Sequence, residues 1–297
     1  MLISVEIDGN VSYGTGFFIH ENGYIATNFH VIEGASQIQV TLYSGISKKA
    51  TVVGSSPSDD LAVIKISGTG YPTARIGNSD AVVAGATAIV VGHPLGAQYP
   101  WTVTQGIISF THRQALFSTD YEIIEMTLMQ FDAPVNGGNS GAPVCNDRGE
   151  VIGIATRKHA SLEGVGMALP INGAIEILNA IMTTGSADGV VSQISKTRPL
   201  LGITGATVKV GDPYYDGDIQ HTAGHDGVLI LGISDTGAAI NLVELGDIII
   251  SLNGLPIASM EDLTAALYGC KSGQTITIER WRNGAVIEQT VTFPSPK

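Results

Sequence analysis

The chain has 297 residues, 44% hydrophobic and 14% charged with 37 glycines, which suits packed globular structure, allows two domains and excludes a mainly disordered chain. Its 15 Lys and Arg against 27 Asp and Glu leave a formal charge of −12, with no basic run of the kind that tracks phosphates, so nucleic acid and anionic membrane are poor partners. Cys145 and Cys270 lie far apart in the chain, so neither a disulfide framework nor a cysteine metal site is expected, and the redox compartment stays open.

The opening "MLISVEIDGNVSYGTGFFIH" alternates like a strand and lacks the basic start, apolar stretch and small-residue cleavage site of a signal peptide, so it reads as already mature. Gly, Pro or charge interrupts every apolar run before it reaches membrane-spanning length. From Val5 to about Leu169 short β-branched segments such as "GYIATN", "QIQVTLY", "LAVIKI", "ATAIVV" and "EVIGIAT" alternate with Gly, Asn, Asp and Pro, the pattern of a barrel or sandwich. Pro72 to Gly85 carries few strand signals and reads as the crossover between two β halves. After Pro170 the period changes: Ile171, Ala174, Ile175, Leu178 and Ile181 share one helical face, and "TTGSADGVVSQISKTR" follows as a polar linker.

A second unit begins near Pro199 and mixes strands such as "GVLILGI", "DIIISLNG" and "QTITIERW" with one helix, "SMEDLTAALYG". Ser259 supplies the helix start and Asp262 the acidic position of a capping box. Asn283-Gly284 predicts a tight hairpin, because both residues tolerate positive φ. The expected division is a mostly β domain over 1–182, a linker over 183–198 and a small α/β domain over 199–297.

Reactive chemistry is sought where a weak nucleophile can find a base. Ser140 lies in the Gly-rich "APVNGGNSGAPV", His30 ends an apolar strand in "YIATNFHVI", and Asp60 immediately precedes a buried-looking strand in "SPSDDLAVIKI". Serine needs a base to take its proton, and an imidazole serves best when a carboxylate fixes its tautomer. Taken singly, each of the three reads as an ordinary turn or satisfied polar residue. As an ordered set at strand edges they read as a His, Asp, Ser constellation.

The segments "GTGFFI", "GYIATNFHVIEGA", "SDDLAVIKI", "VGHPLG", "VTQGIIS", "QFDAPVNGGNSGAPV" and "GEVIGIAT" occur in this order, and together they resemble the protease domain of the HtrA (Deg) family of trypsin-like serine proteases. The resemblance covers most of residues 11–170. It implies a chymotrypsin-like double β-barrel with His30 as general base, Asp60 as its orienter, Ser140 as nucleophile, and the N–H groups of Gly138 and Ser140 as oxyanion hole. It also departs from the family in two places, with Ala142 where Gly usually follows the serine motif and His93 where Asn is common. His93 is read as a loop residue, and a metal at His221 and His225 is not expected. No cofactor is implied.

Residues 199–293 resemble a PDZ domain through "PLLGI", "ELGDIIISLNG" and "SMEDLTAAL". That resemblance implies peptide C-termini added as a strand, with Leu201, Gly202 and Ile203 as the carboxylate loop. The inserted "ATVKVGDPYYDGDIQHTAGHD" leaves open whether Tyr214 and Tyr215 pack or contact substrate. Pro134 occupies the position that, as an acid, selects basic side chains, so a small or medium apolar residue before the scissile bond is expected; Arg157 and Lys158 border that pocket or form a solvated loop. The family reading implies unfolded or damaged protein substrates, an extracytoplasmic setting and homotrimers, although few residues here precede the first strand. The alternatives are a non-hydrolytic peptide-binding chaperone and a scaffold that keeps the protease fold.

Overall fold

A computed structural model of the chain describes residues 1–118, 122–156, 164–216, 219–235 and 237–294. The structure is mostly β and divides into two compact units, Met1–Ala115 with Met126–Ser195, and Leu116–Glu125 with Lys196–Lys297.

The first half of unit one holds β1 (Leu2–Ile7), β2 (Asn10–Thr15), β3 (Phe17–His20), β4 (Tyr24–Thr27), the one-turn helix α1 (Phe29–Ile32), β5 (Gln37–Thr41), β6 (Ser47–Ser56) and β7 (Leu61–Ile66). Among the described residues these strands form a seven-stranded sheet ordered β2-β1-β5-β6-β7-β4-β3. In β5 the apolar side chains alternate: Ile38 and Val40 are buried, Gln37 and Gln39 exposed. They join Ile3, Val5, Ile25, Ala62 and Ile64 in one core.

The second half holds β8 (Arg75–Ile76), β9 (Thr87–Gly92), most of β10 (Thr102–Ser118) and β11 (Glu122–Phe131), β12 (Pro143–Cys145), β13 (Glu150–Ala155), β14 (Gly166–Pro170) and α2 (Ile171–Thr184); the far end of β10, the start of β11 and all but the first residue of β15 (Ser195–Pro199) belong to unit two. The order is β10-β9-β12-β13-β14-β11-β15, and β10 also pairs with β11, which closes six strands into a ring around Val90, Ile108, Phe131, Val144 and Ile152. The crossover segment contributes β8, which pairs with β13 and so already belongs to the second half.

α2 packs on β6, β7 and β13, which explains why β7 is buried almost throughout instead of alternating. Its buried face is Ile171, Ala174, Ile177, Leu178 and Ile181; Ile175, expected inside, is half-buried, and Ile177 takes its place. The helix stops at Gly185 with φ 85°, and that turn lies so close to Gly54 that a Cβ there would come within 2.0 Å of the Gly185 carbonyl. The polar segment beyond is anchored. Ser195 Oγ donates to Asp59 Oδ1 at 2.7 Å, Ser192 Oγ donates to the same oxygen, Ser56 Oγ donates to Oδ2 at 2.5 Å, and Ile194 is buried.

Unit two contains β16 (Ile203–Val208), β17 (Pro213–Asp216), β18 (Ile219–Thr222), β19 (Gly227–Ile233), β20 (Ile248–Leu252), β21 (Leu255–Pro256), α3 (Met260–Tyr268), β22 (Thr275–Arg282) and β23 (Ala285–Thr292). The main sheet runs β16-β19-β20-β22-β23, with β16 on an edge. Asn283 and Gly284 have φ 50° and 85° and join β22 to β23. Ser259 Oγ accepts the Asp262 N–H, while the Asp262 carboxylate takes the Ala258 N–H and the Ser259 hydroxyl, so the box is made with a one-residue offset.

Alternation within β19 and β20 sorts the two sheet faces. Val228, Ile230 and Ile249 share a core with Leu263 and Leu267 of α3, whereas Leu229, Ile248 and Ile250 face the other way and are covered by Tyr214 and Trp281. The inserted hairpin β17-β18 therefore lies on the face opposite α3. Tyr214 packs there and stacks on His221, while Tyr215 is exposed.

Candidate active site

β4 delivers its chain buried as far as Asn28, whose side chain amide donates to the Asp60 carbonyl at 2.9 Å. One turn of helix then presents His30, where a strand-to-loop transition was expected. His30 N–H reaches Asp60 Oδ1 at 3.0 Å, and ring Nδ1 lies 2.8 and 2.9 Å from the two carboxylate oxygens. A carboxylate only accepts, so Nδ1 carries the proton and Nε2 keeps its lone pair. Asp60 itself is 6% exposed, sits at φ 53° just ahead of β7, and receives the Thr156 hydroxyl on Oδ2 at 2.6 Å. Thr156 closes the "GIAT" strand signal, but nothing in that signal marked it as a partner of Asp60.

Ser140 is held by its backbone. Its carbonyl accepts Thr15 N–H at 2.8 Å, and the next residue's N–H, that of Gly141, reaches the Ala155 carbonyl at 2.8 Å. Gly141 has φ 83°, and a Cβ on it would lie 2.1 Å from the Thr15 carbonyl, so only glycine fits. Gly138, at φ 98°, is confined likewise: a Cβ would lie 2.2 Å from the His93 carbonyl. Ala142 is fully buried in the core with Ala88 and Val144, so the extra methyl beside the serine motif is packed without displacing the turn.

His30, Gly137, Gly138 and Ser140 line one cleft of about 500 Å³ with Tyr13 and Leu95. Pro134 is exposed and is not among the residues lining that cleft; Arg157 and Lys158 lie outside the described residues. His93, read from sequence as a loop residue, is 1% exposed, and burial, aided by the Met1 amino group, pushes its pKa down to about 3. His221 lies on Tyr214, and His225 is 2.6 Å from the Asp226 carbonyl through Nδ1.

Residues 14–154 match the trypsin-like peptidase domain model and residues 188–293 the PDZ domain model. Over 278 residues the chain is 35% identical to the serine protease Do-like HtrA of Lactobacillus helveticus, covering 91% of this chain and 64% of that protein. Over 280 residues it is 35% identical to a probable periplasmic serine endoprotease, DegP-like, of Pseudomonas fluorescens, covering 92% and 54%. The chain belongs to the HtrA family of serine proteases. A crystal structure of a serine endoprotease from Yersinia pestis superposes with a TM-score of 0.64 at 29% identity, covering 100% of this chain and 94% of that one. This HtrA chain spans between about half and two thirds of the length of the two curated relatives.

In its PDZ unit the 200–202 segment is turned by three backbone bonds: the carbonyls of Leu200, Leu201 and Gly202 accept from Ala238, Ala239 and Ser234. Leu201 is buried, and Gly202 has φ 80° with Gly237 packed against it. Ile203 then starts the edge strand β16, and the start of α3 reaches it where Met260 N–H donates to Thr207 Oγ1 at 3.0 Å.

Proposed function

We propose that this HtrA chain is a serine endopeptidase acting through His30, Asp60 and Ser140. The observation that carries the reading is the His30 Nδ1 to Asp60 bond, which leaves Nε2 as the proton acceptor on an imidazole that shares its cleft with Ser140. In the acylation step Nε2 removes the Ser140 Oγ proton as Oγ attacks the peptide carbonyl, and the imidazolium is stabilised by Asp60. The developing oxyanion takes the N–H groups of Gly138 and Ser140. Collapse passes the proton from Nε2 to the leaving amine, and water repeats the sequence on the acyl-enzyme.

Exposed segments of unfolded or damaged proteins are the proposed substrates, with a small or medium apolar residue before the scissile bond, as Pro134 in place of an acid favours. The open edge of β16 beside α3 supports binding of peptide C-termini as an added strand, their carboxylate at Leu201, Gly202 and Ile203. The hairpin carrying Tyr214 packs on the sheet face opposite α3. An extracytoplasmic setting and a homotrimer are part of the same family-based reading.

The test is cleavage of unfolded casein and labelling by a fluorophosphonate. Both are expected for the native chain and lost in Ser140→Ala with folding retained. Casein binding with neither cleavage nor labelling would replace this reading with a peptide-binding chaperone or scaffold.

A further inference from the structure

Gly138 is clamped by groups outside the triad. Its carbonyl accepts the Thr15 hydroxyl at 2.7 Å, and the carbonyl of Gly137 accepts Leu95 N–H at 2.8 Å. A trans peptide points its C=O and N–H in opposite directions, so the Gly137 to Leu95 bond sets the direction of the Gly138 N–H. That N–H cannot rotate without breaking the Gly137 to Leu95 bond, and the Thr15 bond fixes the peptide on the other side of Gly138.

The Thr15 hydroxyl has one proton, and it is committed to Gly138. Its oxygen is therefore the acceptor toward His93 Nδ1, 3.1 Å away, and the imidazole is the donor. That choice leaves His93 Nε2 as a buried lone pair with no hydrogen-bond partner among the described residues, in a residue 1% exposed and with the ring edge-on to Trp101. A buried unsatisfied acceptor is costly, so a histidine retained here needs a compensating use. The bond to Thr15 is the one polar contact the ring makes among the described residues.

We propose that Thr15 and His93 are positioning residues for the Gly138 peptide: His93 Nδ1–H orients the Thr15 hydroxyl, and that hydroxyl pins the Gly138 carbonyl so that the N–H stays aimed at the oxyanion. The proposal rests on the reading of Gly138 as an oxyanion donor, and its test separates the two. In the full chain, Thr15→Val keeps the β-branched shape and removes the hydroxyl, whereas Thr15→Ser keeps the hydroxyl. His93→Asn keeps a donor near the Nδ1 position and His93→Leu removes it.

For a peptide substrate, kcat is expected to fall roughly 10- to 100-fold in Thr15→Val, below the 10²- to 10³-fold for loss of a whole oxyanion donor. KM should change less than about threefold, and Thr15→Ser should stay within about threefold of the native kcat, a split that tracks oxyanion stabilisation. His93→Leu should follow Thr15→Val, and His93→Asn should follow the native chain. Hydrogen exchange supplies the second readout: peptides covering 136–141 exchange faster in Thr15→Val and His93→Leu only. Unchanged exchange and kcat in Thr15→Val would overturn the proposal. Faster exchange with unchanged kcat would keep the clamp and overturn the oxyanion role of Gly138.

Discussion

The hydroxyl of Thr156 donates to Asp60 Oδ2 at 2.6 Å, on the carboxylate whose other oxygen lies 2.8 Å from His30 Nδ1. Thr156 comes from the end of the second-half strand β13 and Asp60 from the first half, so the carboxylate is oriented by both halves of unit one. Removing the hydroxyl leaves a buried, charged acceptor one donor short, a loss of roughly 1.5–3 kcal/mol. Thr156→Val is expected to lower the melting temperature and reduce kcat about tenfold with KM little changed, while Thr156→Ser retains both. Steady-state kinetics and thermal unfolding of the pair check this.

Asp60→Asn should preserve the fold and abolish most turnover. The amide can offer Nδ1 an N–H instead of a lone pair, which moves the imidazole proton to Nε2 and removes the base; about a 10⁴-fold loss of kcat is expected from the same replacement logic in other triads. Activity within tenfold of native would show that Asp60 does not set the tautomer.

Asp59, next in sequence, has a structural task. It is 4% exposed and takes the hydroxyls of Ser56, Ser192 and Ser195, which ties the 192–195 segment to the loop that carries Asp60. Asp59→Ala strands the two buried hydroxyls of Ser56 and Ser195 and the half-buried one of Ser192, and a loss of about 3 kcal/mol is expected, with faster proteolytic nicking between 186 and 198. Nicking at the native rate would show that the segment is held by Ile194 packing alone.

Stability should also carry a signature of His93. Its folded pKa lies near 3 through burial, below the ordinary histidine value of 6.5, so the unfolded chain binds a proton that the folded chain refuses. The contribution of neutral His93 is complete above about pH 6.5 and falls by up to about 1.4 kcal/mol per pH unit as pH drops from there toward 3. Denaturant unfolding at pH 7, 5.5 and 4.5 should show a steeper loss for the native chain than for His93→Asn.

Much of the candidate site was legible because its signals are local. An apolar strand ending in His30, a carboxylate ahead of a buried strand, and a glycine-rich turn around Ser140 are each properties of a few consecutive residues, as are the Ser259 helix start and the Asn283-Gly284 hairpin. That the turn is rich in glycine was legible, with Gly138 and Gly141 among its residues. That the reason is lack of room, against the carbonyls of His93 and Thr15, was not. Thr15, Asp59 and Thr156 were passed over because a threonine or aspartate in a strand or turn gives no local hint of a partner 78 to 136 residues away.

Sequence alone thus determined where the helical period takes over, many of the strand segments, though not β6, β11 or β12, and that His30, Asp60 and Ser140 follow one another in that order. Tertiary structure decided which buried polar groups satisfy one another: that His93 lies inside, that the polar segment after α2 is tied down at Asp59, and that the Tyr214 hairpin covers the sheet face away from α3. The physical reason is that periodicity and turn chemistry act over a few bonds, whereas the demand that a buried hydroxyl, imidazole or carboxylate find a hydrogen-bond partner is met only by whatever the closed fold brings within about 3 Å.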